Sequence, residues 1–97
     1  MKFVNLARYV LDADKVASAR PSHRAYAKQL LDTGKLIAAG PLGDNVGGLF
    51  VYEASDINEV WQMIRHDPYN IAGVYEKCEV YQWSIAGVNV GLLSAHD

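Results

Sequence analysis

The sequence predicts an α+β domain with elements in the order β-α-β-β-α-β, the split βαβ or ferredoxin-like arrangement of a four-stranded antiparallel sheet with both helices on one face. Three observations lead there. Two segments repeat apolar residues at helical spacing, four short runs rich in Val, Ile, Tyr and Phe lie around them, and 97 residues leave room for a single hydrophobic core. The expectation is therefore one domain over residues 1–97, with about 86–97 as a C-terminal tail that packs on a neighbour or frays.

Phe3 to Leu11 reads as the first strand and stops where the turn formers Asp12-Ala13-Asp14 begin. Asp12 to Ala19 is expected to be a connection. The first helix should then start near Pro21, with Ser18 or Ser22 as its cap, and end at Asp32 or Thr33, with Gly34 in the left-handed position just past it. At about 100° per residue, Tyr26, Ala27, Leu30 and Leu31 share a stripe with His23, whereas Lys28, Gln29 and Asp32 fall on the solvated side.

Lys35 to Gly40 and Leu49 to Glu53 form a hairpin across the turn-rich stretch Gly40 to Gly48. The second helix opens at Ser55, with Glu59 in a near-capping arrangement, and presents Ile57, Val60, Trp61 and Ile64 on one face. Pro68 disfavours the helical conformation at Asp67, so the helix closes there. On the wheel Asp67 falls roughly 20° from Val60 and looks inward, while His66 looks outward.

The last strand runs from Val74 to about Ser84. Regular alternation puts Val74, Cys78 and Val80 on one face, and Tyr75, Tyr81, Trp83 and Ile85 on the other. Both sets are apolar, where a half-solvated strand would alternate more cleanly. A second copy covering the bare sheet face is the simplest solution, so a homodimer with packed sheets is expected.

Composition narrows the function classes. Nine Lys and Arg against eleven Asp and Glu give a formal net charge of −2, with no cationic run to hold phosphates or an anionic membrane. Neither a secretion signal nor a membrane span is visible, and Cys78 is the sole cysteine, so no internal disulfide can form and the cytoplasm is the expected location. The dinucleotide, P-loop, zincin and nucleophile-elbow signatures are absent. His23, His66 and His96 share no ligand spacing, and neither a metal nor a cofactor is expected.

What remains is a pair of polar groups on inward faces, His23 and Asp67. Helices that neighbour each other on one sheet face could bring them together. The carboxylate would then fix the imidazole tautomer and leave the other ring nitrogen free to take a proton from a substrate. The competing interpretation is a hydrogen-bonded core histidine and a carboxylate that caps a helix end.

Several segments carry a family likeness: Arg20-Pro21-Ser22-His23, Gly34-Lys35-Leu36-Ile37-Ala38-Ala39-Gly40-Pro41, Gly47-Gly48-Leu49-Phe50-Val51-Tyr52, and Asp67-Pro68-Tyr69 leading to Ala72-Gly73-Val74-Tyr75. Together they resemble the YCII-related (YciI-like) proteins over nearly the whole chain. The resemblance implies a dimeric α/β barrel, the fold also used by muconolactone isomerases, and a His-Asp dyad at the positions of His23 and Asp67. One branch of the family resembles dehydrochlorinases of chlorinated hydroxyquinols, where a polar pair on the first strand, a small hydroxyl residue on a later strand and the proline after the Asp assist the dyad. This chain keeps Pro68 and offers Arg8 and Tyr9, but Gly47-Gly48 supplies no hydroxyl.

Strand alternation sends Arg8 and Tyr9 to opposite faces, so Arg8 serves either to bind a ligand oxygen or as a surface or interface charge. Tyr69, with Tyr75, Trp61 and Trp83, either walls an aromatic site or simply fills the core. Gly40 to Gly48 is either a lid or an ordinary hairpin loop. The function these readings favour is cofactor-independent acid–base chemistry, isomerisation or elimination, on a small aromatic or carbonyl compound. His23 and Asp67 would be catalytic, and Arg8, Tyr9, Pro68 and Tyr69 would bind the substrate. The alternative is a non-catalytic small-molecule-binding or dimerisation module.

Overall fold

The computed structural model describes residues 1–94; residues 95–97, with the end of the expected tail and His96, lie outside the described residues. The elements are β1 (Lys2–Tyr9), α1 (Ala13–Asp32), β2 (Leu36–Leu42), β3 (Gly47–Glu53), α2 (Ile57–His66), the short α3 (Pro68–Ile71) and β4 (Tyr75–Trp83). A 3-10 turn follows at Val90–Leu92. The strands form one antiparallel sheet in the order β2-β3-β1-β4, as the βαββαβ order predicts.

Both longer helices cover one sheet face. Phe3 and Ala7 of β1, Leu36 of β2, and Phe50 and Tyr52 of β3 pack there against Leu30 of α1 and Val60, Met63 and Ile64 of α2. The other face leaves Leu6, Leu49, Tyr81 and Trp83 exposed. No helix among the described residues is long and apolar enough to cross a membrane.

The largest departure from the sequence reading is α1, which begins at Ala13 rather than near Pro21. Asp12 is the cap, its carboxylate accepting from the Lys15 amide at 3.1 Å, and Pro21 lies inside the helix. Val16 and Ala19 are buried and carry the apolar stripe two turns back from His23. An interior proline costs roughly 3 kcal/mol through the lost amide bond and ring clash. Here Pro21 and Ala17, whose carbonyl loses its partner, are both exposed, so water can satisfy that carbonyl.

Smaller shifts have similar local causes. The cap of α2 is Asp56, not Ser55: the Asp56 side chain accepts from the Glu59 amide, and Glu59 reaches back to the Ser55 amide, a capping box one residue further on. The hairpin strands extend into the expected loop, pairing Gly40 with Leu49, Pro41 with Gly48 and Leu42 with Gly47. Pro41 is tolerated because β2 is an edge strand. Gly47 lets β3 approach β1 closely, since a Cβ there would run into the Ala7 carbonyl oxygen.

The phase of β4 also differs. Arg8 pairs with Lys77 but Tyr9 pairs with Tyr75, leaving Glu76 as an extra residue in a bulge. Tyr75 therefore joins Cys78 and Val80 on the helix-covered face, while Tyr81 and Trp83 stay on the bare one.

Candidate active site

His23 sits in the middle of α1 on its buried stripe, 9% exposed. Asp67 ends α2 and simultaneously caps α3, in the extended conformation (φ −65°, ψ 128°) that the following proline imposes. α1 packs against α3, and this brings the two side chains together: His23 Nδ1 lies 2.8 Å from Asp67 Oδ1. His66 is exposed and bonds to the Gln62 carbonyl, pointing away as expected.

The carboxylate, 3% exposed, has two further donors. The Tyr69 amide gives a 2.9 Å bond to Oδ1, and the Tyr75 hydroxyl donates to Oδ2 at 2.8 Å. Burial, and then the Asp67 charge, push the Tyr75 hydroxyl well above the ordinary tyrosine value, so it remains a donor. An ionised carboxylate only accepts, so in this pair Nδ1 of His23 is the donor and Nε2 is the ring nitrogen left over. Among the described residues, the Asn5 amide holds the only buried side-chain polar atoms without a hydrogen-bond partner. Nε2, which no protein group meets, is therefore open to the crevice that His23 lines.

Aromatic rings fix the imidazole plane. Tyr69 stacks on it at 3.8 Å between centroids and 7° between planes, and Phe50 meets it edge-on at 5.7 Å.

The crevice above these rings has a volume of about 300 Å³. Its floor is aromatic, made by Tyr9, His23, Phe50 and Tyr69. One wall is α1, with Arg20, Arg24 and Lys28, and the other is the hairpin, with Gly40, Pro41 and Asn45. Asn45 adopts positive φ (65°), a conformation Asn tolerates better than most residues, and lines the crevice from the hairpin tip. Tyr9 packs edge-on against Tyr69 and nearly parallel to Tyr75. Its hydroxyl occupies the space that a side chain on Gly48 would need. Burial foremost, with the charges of Tyr69 and Asp67, raises the Tyr9 pKa to about 12 against the opposing pull of Arg20; Tyr9 is thus a neutral donor.

Of the residues singled out in the sequence, the structure brings His23, Asp67, Tyr9 and Tyr69 together. It does not bring Arg8, which faces the bare side of the sheet beside Glu79 in a separate depression. Nor does Pro68 line the crevice; as the first residue of α3 it sets the backbone of Asp67. Sequence reasoning offered Tyr75 as a possible aromatic wall but put it on the wrong face, which the bulge reverses, and did not single out Asn45 within the Gly40 to Gly48 loop. It also missed Arg20 and Arg24 as site residues, although Arg20 lies three positions before His23, the spacing of neighbours on a helix face. Cys78 is partly buried with its thiol pushed upward by burial, as a small core residue would be.

The YCII-related domain matches residues 1–84 of this chain. The chain belongs to the YCII-related family. No curated protein matches it. Among solved structures, this YCII-related protein is similar to 5-chloro-2-hydroxyhydroquinone dehydrochlorinase of Burkholderia phenoliruptrix, solved in complex with 2,5-dihydroxybenzoquinone: 22% identity, TM-score 0.77, over 87% of this chain and 94% of that one. It is also similar to a muconolactone isomerase at 12% identity and TM-score 0.69, over 93% and 95% of the two chains. At these identities the likeness establishes the fold, that of the dimeric α/β barrels.

Proposed function

We propose that this YCII-related protein is a cofactor-independent acid–base catalyst acting on a small ring-bearing or carbonyl compound, by isomerisation or elimination. His23 Nε2 takes the substrate proton, Asp67 orients the imidazole and balances the imidazolium, and the Tyr9 hydroxyl donates to the oxygen on which charge develops. Tyr69 supplies the platform under the imidazole and part of the substrate floor. Arg8 and Pro68, placed as they are, do not touch the ligand in this reading. The observation that carries it is the 2.8 Å contact of Nδ1 with a carboxylate held by three donors, while Nε2 opens into a crevice. The fold shared with a dehydrochlorinase and a lactone isomerase supports the same class of chemistry.

The test is deuterium exchange. In heavy water, the protein should wash deuterium into the acidic C–H position of some members of a panel of lactones, enones and hydroxylated aromatics. His23→Gln should slow this by roughly 10²–10⁴-fold, the usual contribution of a positioned base. Exchange that survives the substitution overturns the proposal. Bound ligand with no exchange would leave a binding module.

A homodimer through the bare sheet face belongs to the same proposal. Leu6, Leu49, Tyr81 and Trp83 are exposed there side by side on neighbouring strands, the pattern of an unpartnered sheet.

A further inference from the structure

The crevice is charged in the sense opposite to the rest of the chain. The formal net charge of the sequence is −2, yet the residues lining the crevice include Arg20, Arg24 and Lys28 and no Asp or Glu. The three cations stand at positions i, i+4 and i+8 of α1, so they form one row along its exposed flank, with neighbouring Cβ atoms about 5–6 Å apart.

Their pairing is unequal. Lys28 is tied to Asp32 at 2.7 Å, one turn further along the helix. Arg20 and Arg24 make no ion pair and no side-chain hydrogen bond among the described residues. Asp12 and Asp44 border the adjoining depression that Arg20 also lines, but neither bonds to it. Two guanidinium groups thus stand unneutralised beside an apolar floor, next to an imidazole with an open nitrogen.

We propose that Arg20 and Arg24 form the anion-binding half of the site, and that the ligand is a small organic acid whose carboxylate they hold while its ring lies on the floor made by Tyr9, Phe50 and Tyr69. The inference rests on the catalytic reading above and adds the substrate class to it. A guanidinium presents a planar fork that matches a carboxylate, and the flat aromatic floor suits a planar ring attached to that group. Arg20 lies three residues before His23, a neighbour on the helix face, and Arg24 lines the same crevice, so a carboxylate on this pair keeps the ring in the crevice that His23 lines. The cation row also draws anions toward the crevice in a salt-dependent way.

The test pairs each of four small acids, benzoate, 4-hydroxybenzoate, phenylacetate and maleate, with its neutral amide, and follows the side-chain NMR signals of arginine and of His23 during titration. The acids should bind more tightly than their amides and shift the Arg20, Arg24 and His23 signals together. Arg20→Gln and Arg24→Gln should each weaken acid binding about tenfold or more and remove the preference over the amide. Arg8→Gln, on the far side of the sheet, should bind as the unaltered protein does. If no acid binds better than its amide, or if the preference survives Arg20→Gln/Arg24→Gln, the proposal is overturned. The titration is repeated in His23→Gln protein. Arginine-dependent binding there persists whether or not His23 is the catalytic base, so this outcome and that of the exchange assay fail independently.

Discussion

Replacing Tyr75 by Phe deletes one oxygen and keeps the ring that packs against Tyr9, Phe50 and Tyr69. The deleted hydroxyl is the only hydrogen-bond partner of Asp67 Oδ2 among the described residues and lies 2.8 Å from it, while the carboxylate is 3% exposed. A hydrogen bond to a charged group contributes about 1.5–3 kcal/mol, and a buried acceptor left unpaired loses that and is not rehydrated. For a chain of this size each kcal/mol moves the Tm by about 4–8 °C, so Tyr75→Phe should lower it by roughly 6–24 °C. Urea titration should show the same loss as a lower midpoint with an unchanged slope. The attribution is then tested by a double-mutant cycle with Asp67→Asn. Once the charge is gone, the Tyr75 hydroxyl should matter less, giving a coupling of at least about 0.5–1 kcal/mol. A Tyr75→Phe protein as stable as its parent, or two effects that simply add, would refute the idea that this hydroxyl anchors the carboxylate.

Four further outcomes follow from the geometry. Asp12→Ala should cost about 1 kcal/mol by removing the cap of α1, whereas Ser18→Ala and Ser22→Ala should be close to neutral, as thermal melts of the three would register. Gly47→Ala should destabilise by about 1–3 kcal/mol or more, because the added methyl meets the Ala7 carbonyl; a melt matching the parent would contradict the close approach of β3 to β1. Tyr9 and Tyr75 are both raised above the ordinary value of 10.0, Tyr9 to about 12, so the unfolded chain gives up these phenolic protons first. Their stability contribution is complete below pH 10 and declines as pH rises toward and beyond about 12, which urea midpoints against pH, with tyrosinate absorbance, would follow. Leu6→Lys, on the bare sheet face, should convert a dimer to monomer in sedimentation while leaving the ring-nitrogen NMR signature of the Nδ1–H tautomer at His23 intact.

The topology and the pairing of His23 with Asp67 were legible because both rest on local signals. Apolar spacing placed His23 inward, and a proline fixed Asp67 at the inner edge of the second helix; these cues hold whatever the tertiary context. The start of α1 was not legible, since Pro21 is ordinarily a first-turn residue and its cost is overridden here by burial of Val16 and Ala19. The orientation of Tyr75 was hidden for a different reason. Alternation along a strand is readable only while the count stays regular, and the extra residue at Glu76 breaks it with no glycine or proline to announce the break. Arg20 and Arg24 were visible as charges but not as a site, because their meaning depends on the hairpin wall that faces them across the crevice.

The bulge at Glu76 has a wider effect than the orientation of one phenol. Since β4 is apolar on both sides, its own side chains specify poorly which set turns toward the helices, and a slip of one position would exchange them wholesale. The bulge removes Tyr75 from that choice, because residues on its two sides no longer follow one alternation. Tyr75 can therefore face Asp67 while Tyr81 and Trp83, beyond the bulge, show their rings on the far surface. One extra residue thus lets a single strand offer a phenol to the buried carboxylate and two aromatic rings to the open side of the sheet.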